Sequence, residues 1–584
     1  MQVRKSTYNL IIFWIFAIFF LAGFYYFLRI GGDLGGIFEK ISSTQEKISE
    51  VSTEKDIFEA LSVKDDKERT FLLLFQNNME LRPAGGYIGS FGILKVKNGE
   101  ITSVEAHDTN IFDGRIKTIL EPPYPMAKML NIKTWGMRDS NFFPDFSESA
   151  QKAEYFYKDG DGQENFDGIV GINLNVLKSV LQVTGPISIE GYPQEFNAEN
   201  VSDQLELAVE KNYKTAGLAK SDRKNILKDL SGSIAERVKT LDTNAKLDLL
   251  RTLKKNLDKK DIQLYFKDSD LQSSAEKLDW AGRINTNWTG DYLMINDCNL
   301  GALKTDRKIN RSVDYTLDLS KEKLEAVLKI SYENTGQGKN WMTSDYYDYL
   351  RVYAPKGSWL SESKSVSETT YKEEYNKKVF AFILNAPLAK TTVVELRYTL
   401  PENIKNNPYE LLIQKQSGSG IVPVKIHITD ANGNVREFSV ELEKDYRLSS
   451  DDFLKAPVAE KKTEVITQIE PEQPAQSFYQ KANEFAGIKT ADAFAENNQT
   501  AKIYTTPKLI LPGENDVIVS STPKIKTSVL PKKISCQEKN DHPQKSKTRG
   551  KHRDEDCCPD PDEWPNTACV YSQKGLDLML KKPK

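Results

Sequence analysis

Histidine and cysteine are scarce in this chain, with 4 and 5 copies among 584 residues. No histidine stands beside an obvious serine or cysteine nucleophile, so a hydrolytic triad lacks its parts. The signatures GxxxxGKS or GxxxxGKT, GxGxxG, GxSxG and HExxH are missing as well, which removes phosphate-loop, dinucleotide, α/β-hydrolase and zinc-protease readings. No internal repeat marks a solenoid. An excess of charge of one sign is also lacking: 80 Lys and Arg against 83 Asp and Glu leave a formal −3. Any anion site must therefore be local, and no nucleic-acid partner is expected.

What is present is enough for several cores. The length suggests roughly three or four domains, and 39% of residues are hydrophobic. Residues 1–8 carry Arg4 and Lys5. They precede NLIIFWIFAIFFLAGFYYFLRI at 9–30, about 20 apolar positions flanked by Tyr25, Tyr26 and Arg29. This predicts a single, uncleaved transmembrane anchor at the cell membrane, with the N-terminus cytoplasmic and the bulk of the chain extracytoplasmic. Residues 31–66 open with glycines and continue with Phe38, Ile41, Ile48, Val51, Ile57 and Leu61 among polar residues, a partly amphipathic helical stalk.

The stretch 71–113 organises the next part. An apolar run at 71–75 reads as a buried strand. Residues 87–96 and 101–106 read as two more strands joined at Asn98-Gly99, the strongest short hairpin signal, and the last of them runs into His107-Asp108. Between the first two strands, Glu80, Arg82 and the pair Gly85-Gly86 put bare backbone beside charge, as an anion pocket requires. A surface hairpin with solvated charges is the plainer alternative. Residues 135–146, WGMRDSNFFPDF, add Arg138, Asp139 and four aromatic rings, either a site rim or a loop seated on the core. The segment 166–189 reads as strand, helix, strand, a βαβ-like rhythm that makes this part α/β, and 198–277 is helical in pattern. Cys298 reads as a small core residue.

Residues 311–447 change to short alternating strands with regular turn signals, an antiparallel β-sandwich. Trp341, Tyr346, Tyr347 and Tyr349 are either a carbohydrate platform or, with more weight, packing. Residues 448–535 are a low-complexity linker rich in Glu, Lys, Pro, Thr, Ser and Gln. In the tail, 536–584, Cys536, Cys557, Cys558 and Cys569 lie near His542 and His552; zinc, two disulfides and unstructured thiols all stay open.

The phrase LLLFQNNMELRPAGGYIGSFGILKVKNGEI resembles the signature of a bacterial family known as domain of unknown function 4012. More distantly, 67–310 is similar to the catalytic domain of the LytR-CpsA-Psr family, through that phrase, FDGIVGINLNVLKSVLQVTGPISI and SDRKNILKDL. Those relatives are membrane-anchored enzymes that move glycopolymer phosphates from a polyprenyl-diphosphate carrier onto the cell wall. The resemblance implies an αβα domain, Arg82 and Arg223 as phosphate-binding arginines, and Asp108 as the acid closing the third strand, in a catalytic and metal-holding role. Mg or Mn is the implied ion, and a metal-dependent phosphotransferase is the implied enzyme. Two departures stand against it: Pro83-Ala84-Gly85-Gly86 replaces an acid after the first arginine, and His107 replaces an arginine before Asp108. Asp113, Arg115, Arg138 and Asp139 are the candidates to fill those places, with Gly85 and Gly86 beside the phosphate and Asp113 on the metal.

Two functions follow. In the first, the chain binds a polyprenyl-(di)phosphate-linked glycopolymer at the cell envelope, with transfer as a further step. In the second it is a non-catalytic surface scaffold or adhesion protein with a vestigial ligand site.

Overall fold

Asn98 and Gly99 take φ of 53° and 76°, the left-handed pair that a two-residue hairpin turn needs. They join strands β2 (Tyr87–Lys97) and β3 (Glu100–Asp108). In the computed structural model the described residues are 64–458, apart from 191, 193, 213–224 and 407, together with 53, 54 and 57. All fall within one compact unit. The expected anchor at 9–30, most of the stalk, Arg223 and the cysteine tail lie outside them. No helix among the described residues is long and apolar enough to cross a membrane.

Strand β1 (Glu68–Asn77) is the middle of a five-stranded sheet of order β3-β2-β1-β4-β5. Its run FLLLF is apolar at every position because both faces are covered. Phe71, Leu73 and Phe75 point into one core and Leu72 and Leu74 into the other. Strand β4 (Gly168–Asn173) lies parallel to β1, from Phe71 opposite Gly168 to Gln76 opposite Asn173. Short helix α1 (Thr109–Phe112) follows β3. Helices α2 (Tyr124–Leu130) and α3 (Phe146–Asp159) cover one face. The other face is covered by α4 (Leu174–Thr184), α5 (Val201–Leu207), α6 (Asn225–Thr240) and α7 (Thr243–Asp258), with α8 (Ser269–Lys277) at its margin. The result is a three-layered αβα arrangement.

The βαβ rhythm does not continue into the sheet. Pro186 has no N–H to give a ladder, and Ile187 pairs locally with Phe196. The strand beside β4 is instead β5 (Ile262–Phe266), running antiparallel to it. The stalk differs from expectation where it is described: Ile57 and Glu54 are buried, Ile57 within the helical core and Glu54 3.3 Å from Lys254 on α7.

Two six-stranded sheets follow, with one apolar core between them. In order across the sheet, the first holds β10 (Trp359–Lys364), β13 (Lys390–Thr399), β8 (Glu325–Asn334), β7 (Ile309–Asp318), β15 (Val422–Thr429) and β16 (Val435–Leu442). The second holds β11 (Ser367–Glu374), β12 (Lys377–Ala386), β9 (Tyr346–Pro355), β6 (Asp291–Asn296), β14 (Leu411–Gln414) and β17 (Tyr446–Leu448). Grouped by sequence with the α/β part, β6 belongs to the sandwich, because Tyr315 and Tyr409 of the sandwich donate to buried Asp291 at 2.7 and 2.8 Å. The sheets are mixed, since β6 with β14 and β7 with β15 are parallel. Tyr346 and Tyr349 point inward and form no platform. Cys298 is a buried core residue whose thiol burial pushes up to about 12.

The loop after β1 fastens the two parts. Asn299 donates its backbone N–H to the Leu81 carbonyl at 3.0 Å, Leu81 N–H to Asp306 at 2.9 Å, and Asn296 to the Pro83 carbonyl at 3.0 Å. Asn78 donates to the Gly418 carbonyl at 3.0 Å.

Candidate functional site

Arg82 is where this loop turns into the protein. Its guanidinium is 1% exposed and every edge of it is used. Nε donates to Asp139 at 3.1 Å, Nη2 to Glu80 at 2.9 Å, and Nη1 to the carbonyls of Asn299 and Leu81 at 2.6 and 3.3 Å. Burial works against its charge, but Glu80 and Asp139 more than offset that, so it stays well above its ordinary range. An arginine with all its donors turned inward is a fastener, with no edge left for a phosphate.

Gly85 and Gly86 serve the same seam. A Cβ on Gly86 would meet the Asn77 backbone at 2.6 Å, and Gly85 carries φ of +128° against Gln76 and Ser417. A Cβ on Gly418 of the sandwich would lie 1.9 Å from the Gly85 carbonyl oxygen. Bare backbone is needed here because backbones approach too closely for a Cβ between them.

A second group lies above Asp139. Arg138 keeps about a third of its side chain in solvent, at 32%. Its Nη1 donates to Asn110 Oδ1 at 3.1 Å, and its Nε lies 3.3 Å from Asp113 and 3.8 Å from Asp139. The Tyr87 hydroxyl donates to the same Asn110 oxygen at 2.9 Å. Asp108 accepts the Asn110 N–H at 2.9 Å as the cap of α1. Asp113 accepts the Met137 N–H at 2.9 Å; burial lifts its carboxyl to about 6, against the pull of Arg138. Asp139 bridges the two arginines, contacting Arg82 and Arg138 together.

The structure thus gathers Asp108, Asp113 and Arg138 at the end of β3, with Arg82 walled in beneath and Gly85-Gly86 turned to the seam. His107 stacks on Phe91 at 4.8 Å, and burial lowers its basicity. Arg115 is exposed, beside Phe112 at 5.7 Å. Asn110 and Tyr87 were not singled out in the sequence; nothing in their spacing marks them, because one arrives from helix α1 and the other from strand β2. The acids do not fit a divalent ion. Among the described residues no three His, Cys, Asp or Glu come together to hold a metal, and Asp108 and Asp113 are occupied by backbone N–H groups and Arg138.

Residues 66–209 match a family model described as "Protein of unknown function (DUF4012)". No curated protein matches the chain. Solved structures resemble a part of it. The Lin1025 protein from Listeria innocua is 13% identical at a TM-score of 0.22, over 37% of this chain and 79% of that one. Protein gbs0355 from Streptococcus agalactiae is 11% identical at 0.24, over 38% and 76%. TagV from Bacillus subtilis is 12% identical at 0.21, over 37% and 81%. At these scores nothing about the site is carried from them.

Proposed function

We propose that the chain is a cell-envelope protein, anchored through residues 9–30, that holds a polyprenyl-(di)phosphate-linked glycopolymer without transferring it. One observation carries this reading: at the gathered site Arg138 keeps solvent access while Arg82 has none to spare. A single accessible guanidinium, flanked by Asn110 and Tyr87, suffices to hold a phosphate oxygen pair. Phosphoryl transfer asks for more. Charge spreads over several oxygens in its transition state and is usually met by metal ions or several cations together.

The more distant likeness of the α/β domain to the LytR-CpsA-Psr family of envelope enzymes supports the place of action, and the predicted anchor supports the facing. One feature favours transfer instead: Asp113, lifted to about 6 beside Arg138, is tuned for proton exchange near neutral pH. The test is to incubate the detergent-extracted full chain with a prenyl-diphosphate-linked disaccharide, with and without Mg or Mn, following both retention and release of prenyl phosphate. Retention that Arg138→Ala weakens, with no release above buffer, is expected. Release that Asp113→Asn abolishes would overturn the reading in favour of an enzyme.

A further inference from the structure

Helix α4 is amphipathic in an unusual sense. Val176, Leu177, Val180 and Leu181 enter the core, as expected of a helix laid on a sheet. Its next stripe, Asn175, Lys178, Ser179 and Gln182 at i, i+3, i+4 and i+7, is polar and does not simply face bulk water. It faces a second polar stripe with the same spacing, Thr252, Lys255, Asn256 and Lys259 of α7 and its end. Ser179 Oγ donates across to Asn256 Oδ1 at 3.1 Å. Between the stripes lies a cleft of about 400 Å³, closed at one end by the sandwich loop between β14 and β15, which supplies Lys415 and Ile421. That volume is within the range of small-ligand sites.

The charges in it are unevenly matched. Four lysines, Lys178, Lys255, Lys259 and Lys415, face two carboxylates, Asp261 and Glu443. Glu443 is taken by Lys259 at 2.6 Å. Asp261 accepts from Asn173 and Asn175 at 2.8 and 2.9 Å. Lys178, half-buried, makes no ion pair or hydrogen bond among the described residues; it feels Asp203 and Asp261 only at a distance, with Arg307 opposing. Lys415 is 3% exposed and gives its ammonium hydrogens to the carbonyls of Gln416 and Ser419 at 3.0 Å and Lys259 at 3.3 Å. Burial pushes its ammonium down to about 8, so it is held in the wall as a charge weakened by desolvation. A half-buried ammonium ion left unpaired while burial disfavours its charge is a group awaiting an anion.

We propose that this cleft binds an acidic sugar unit, a phosphate- or carboxylate-bearing stretch of glycan, with Lys178 and Lys255 on the anion and the amide and hydroxyl side chains on sugar hydroxyls. The lining decides the class. Ile421 is its one apolar side chain, so a lipid tail has nothing to lie against. No aromatic ring is present to stack a base, as single-stranded nucleic acid requires. The inference rests on the proposed envelope role only for calling the ligand a glycan of the envelope; the charge and the polar lining are independent of Arg138.

The experiment measures binding by the full chain of a soluble phosphodiester-linked hexose oligomer, beside hyaluronate, neutral dextran and single-stranded DNA of equal length. The variants are Lys178→Gln, Lys255→Gln and, as control, Arg138→Ala. Lys178 lacks a partner, so its loss should leave thermal unfolding unchanged while weakening the phosphodiester oligomer about tenfold, as for a charged hydrogen bond. Dextran should not bind. Preference between the phosphodiester oligomer and hyaluronate tells phosphate from carboxylate. No acidic glycan bound, or binding that Lys178→Gln and Lys255→Gln leave intact, overturns the cleft. Binding lost only with Arg138→Ala overturns it while sparing the proposed function. Tighter binding of the DNA overturns the assignment to a glycan.

Discussion

Replacing Arg82 by methionine separates a fastener from a ligand residue. Methionine keeps the stem and removes the guanidinium, so Glu80 and Asp139 lose a common partner, and the carbonyls of Leu81 and Asn299 lose a donor. Asp139 is 4% and Glu80 7% exposed, so water cannot fully replace it. Breaking a buried pair by deleting one side costs about 3–5 kcal/mol, because the remaining charge stays buried without compensation. For a cooperative unit of this size the unfolding entropy is roughly 0.8 kcal/mol per kelvin, so the midpoint should fall by about 5 °C. Circular dichroism during heating, or the urea midpoint, reads this directly. Arg82→Met combined with Glu80→Gln and Asp139→Asn should recover most of the loss, since removing all partners together is often near neutral. An Arg82→Met chain with an unchanged midpoint but lost affinity for a phosphate ligand would refute the reasoning, because only an arginine free to meet ligand behaves so.

Three further outcomes follow from the packing. Gly418→Ala drives a Cβ to 1.9 Å from the Gly85 carbonyl at a backbone φ of +75°, so the seam must open; a loss of at least about 2 kcal/mol and faster proteolysis in the 78–86 loop are expected, and wild-type stability would contradict it. Ile57→Ala should cost about 2–4 kcal/mol in urea unfolding, because Ile57 is 1% exposed within the helical core; no change would mean that the end of the stalk does not pack there. Asp291 is lifted by burial from 3.8 to about 6, although Tyr315, Tyr409 and the Tyr292 N–H oppose this. Its folded value lies above its unfolded one, so the favourable contribution is complete below about pH 4 and is lost as pH rises through about 6. The difference between wild type and Asp291→Asn should therefore shift against wild type over that window by of the order of 3 kcal/mol, and a flat difference would count against the assignment.

Much of the α/β part was legible because its signals are local. An apolar run of five, an Asn-Gly turn and a buried FDGIVGI segment each dictate one element, and β1 to β4 and α4 fall where these lie. What failed was pairing. Ile187 has strand chemistry but Pro186 beside it, and β6, which falls inside the 67–310 range of the α/β part, carries the Asp291 that meets two tyrosines of the sandwich. Charge in the sequence was equally ambiguous. Arg82 beside Gly85-Gly86 reads as an anion pocket if the loop faces water and as a seam if a second domain covers it, and only Asn299, Asp306 and Gly418, more than 200 residues away in the chain, decide which. The cleft's signal in the sequence does not differ from that of an ordinary helix face: Lys178 and Lys255 sit in polar stripes at helical spacing, and a stripe shows its meaning only when another is laid opposite.

The central claim is that Arg138 holds the phosphate of a prenyl-linked ligand while Arg82 holds the protein together. Native mass spectrometry of the membrane-extracted wild type, Arg138→Ala and Arg82→Met tests it most directly. A co-purified prenyl phosphate or diphosphate on the wild type, lost from Arg138→Ala and kept on the still-folded fraction of Arg82→Met, is the predicted result. A bare mass for the wild type, under conditions that retain a control lipid, or a ligand lost from Arg82→Met and kept by Arg138→Ala, would contradict it.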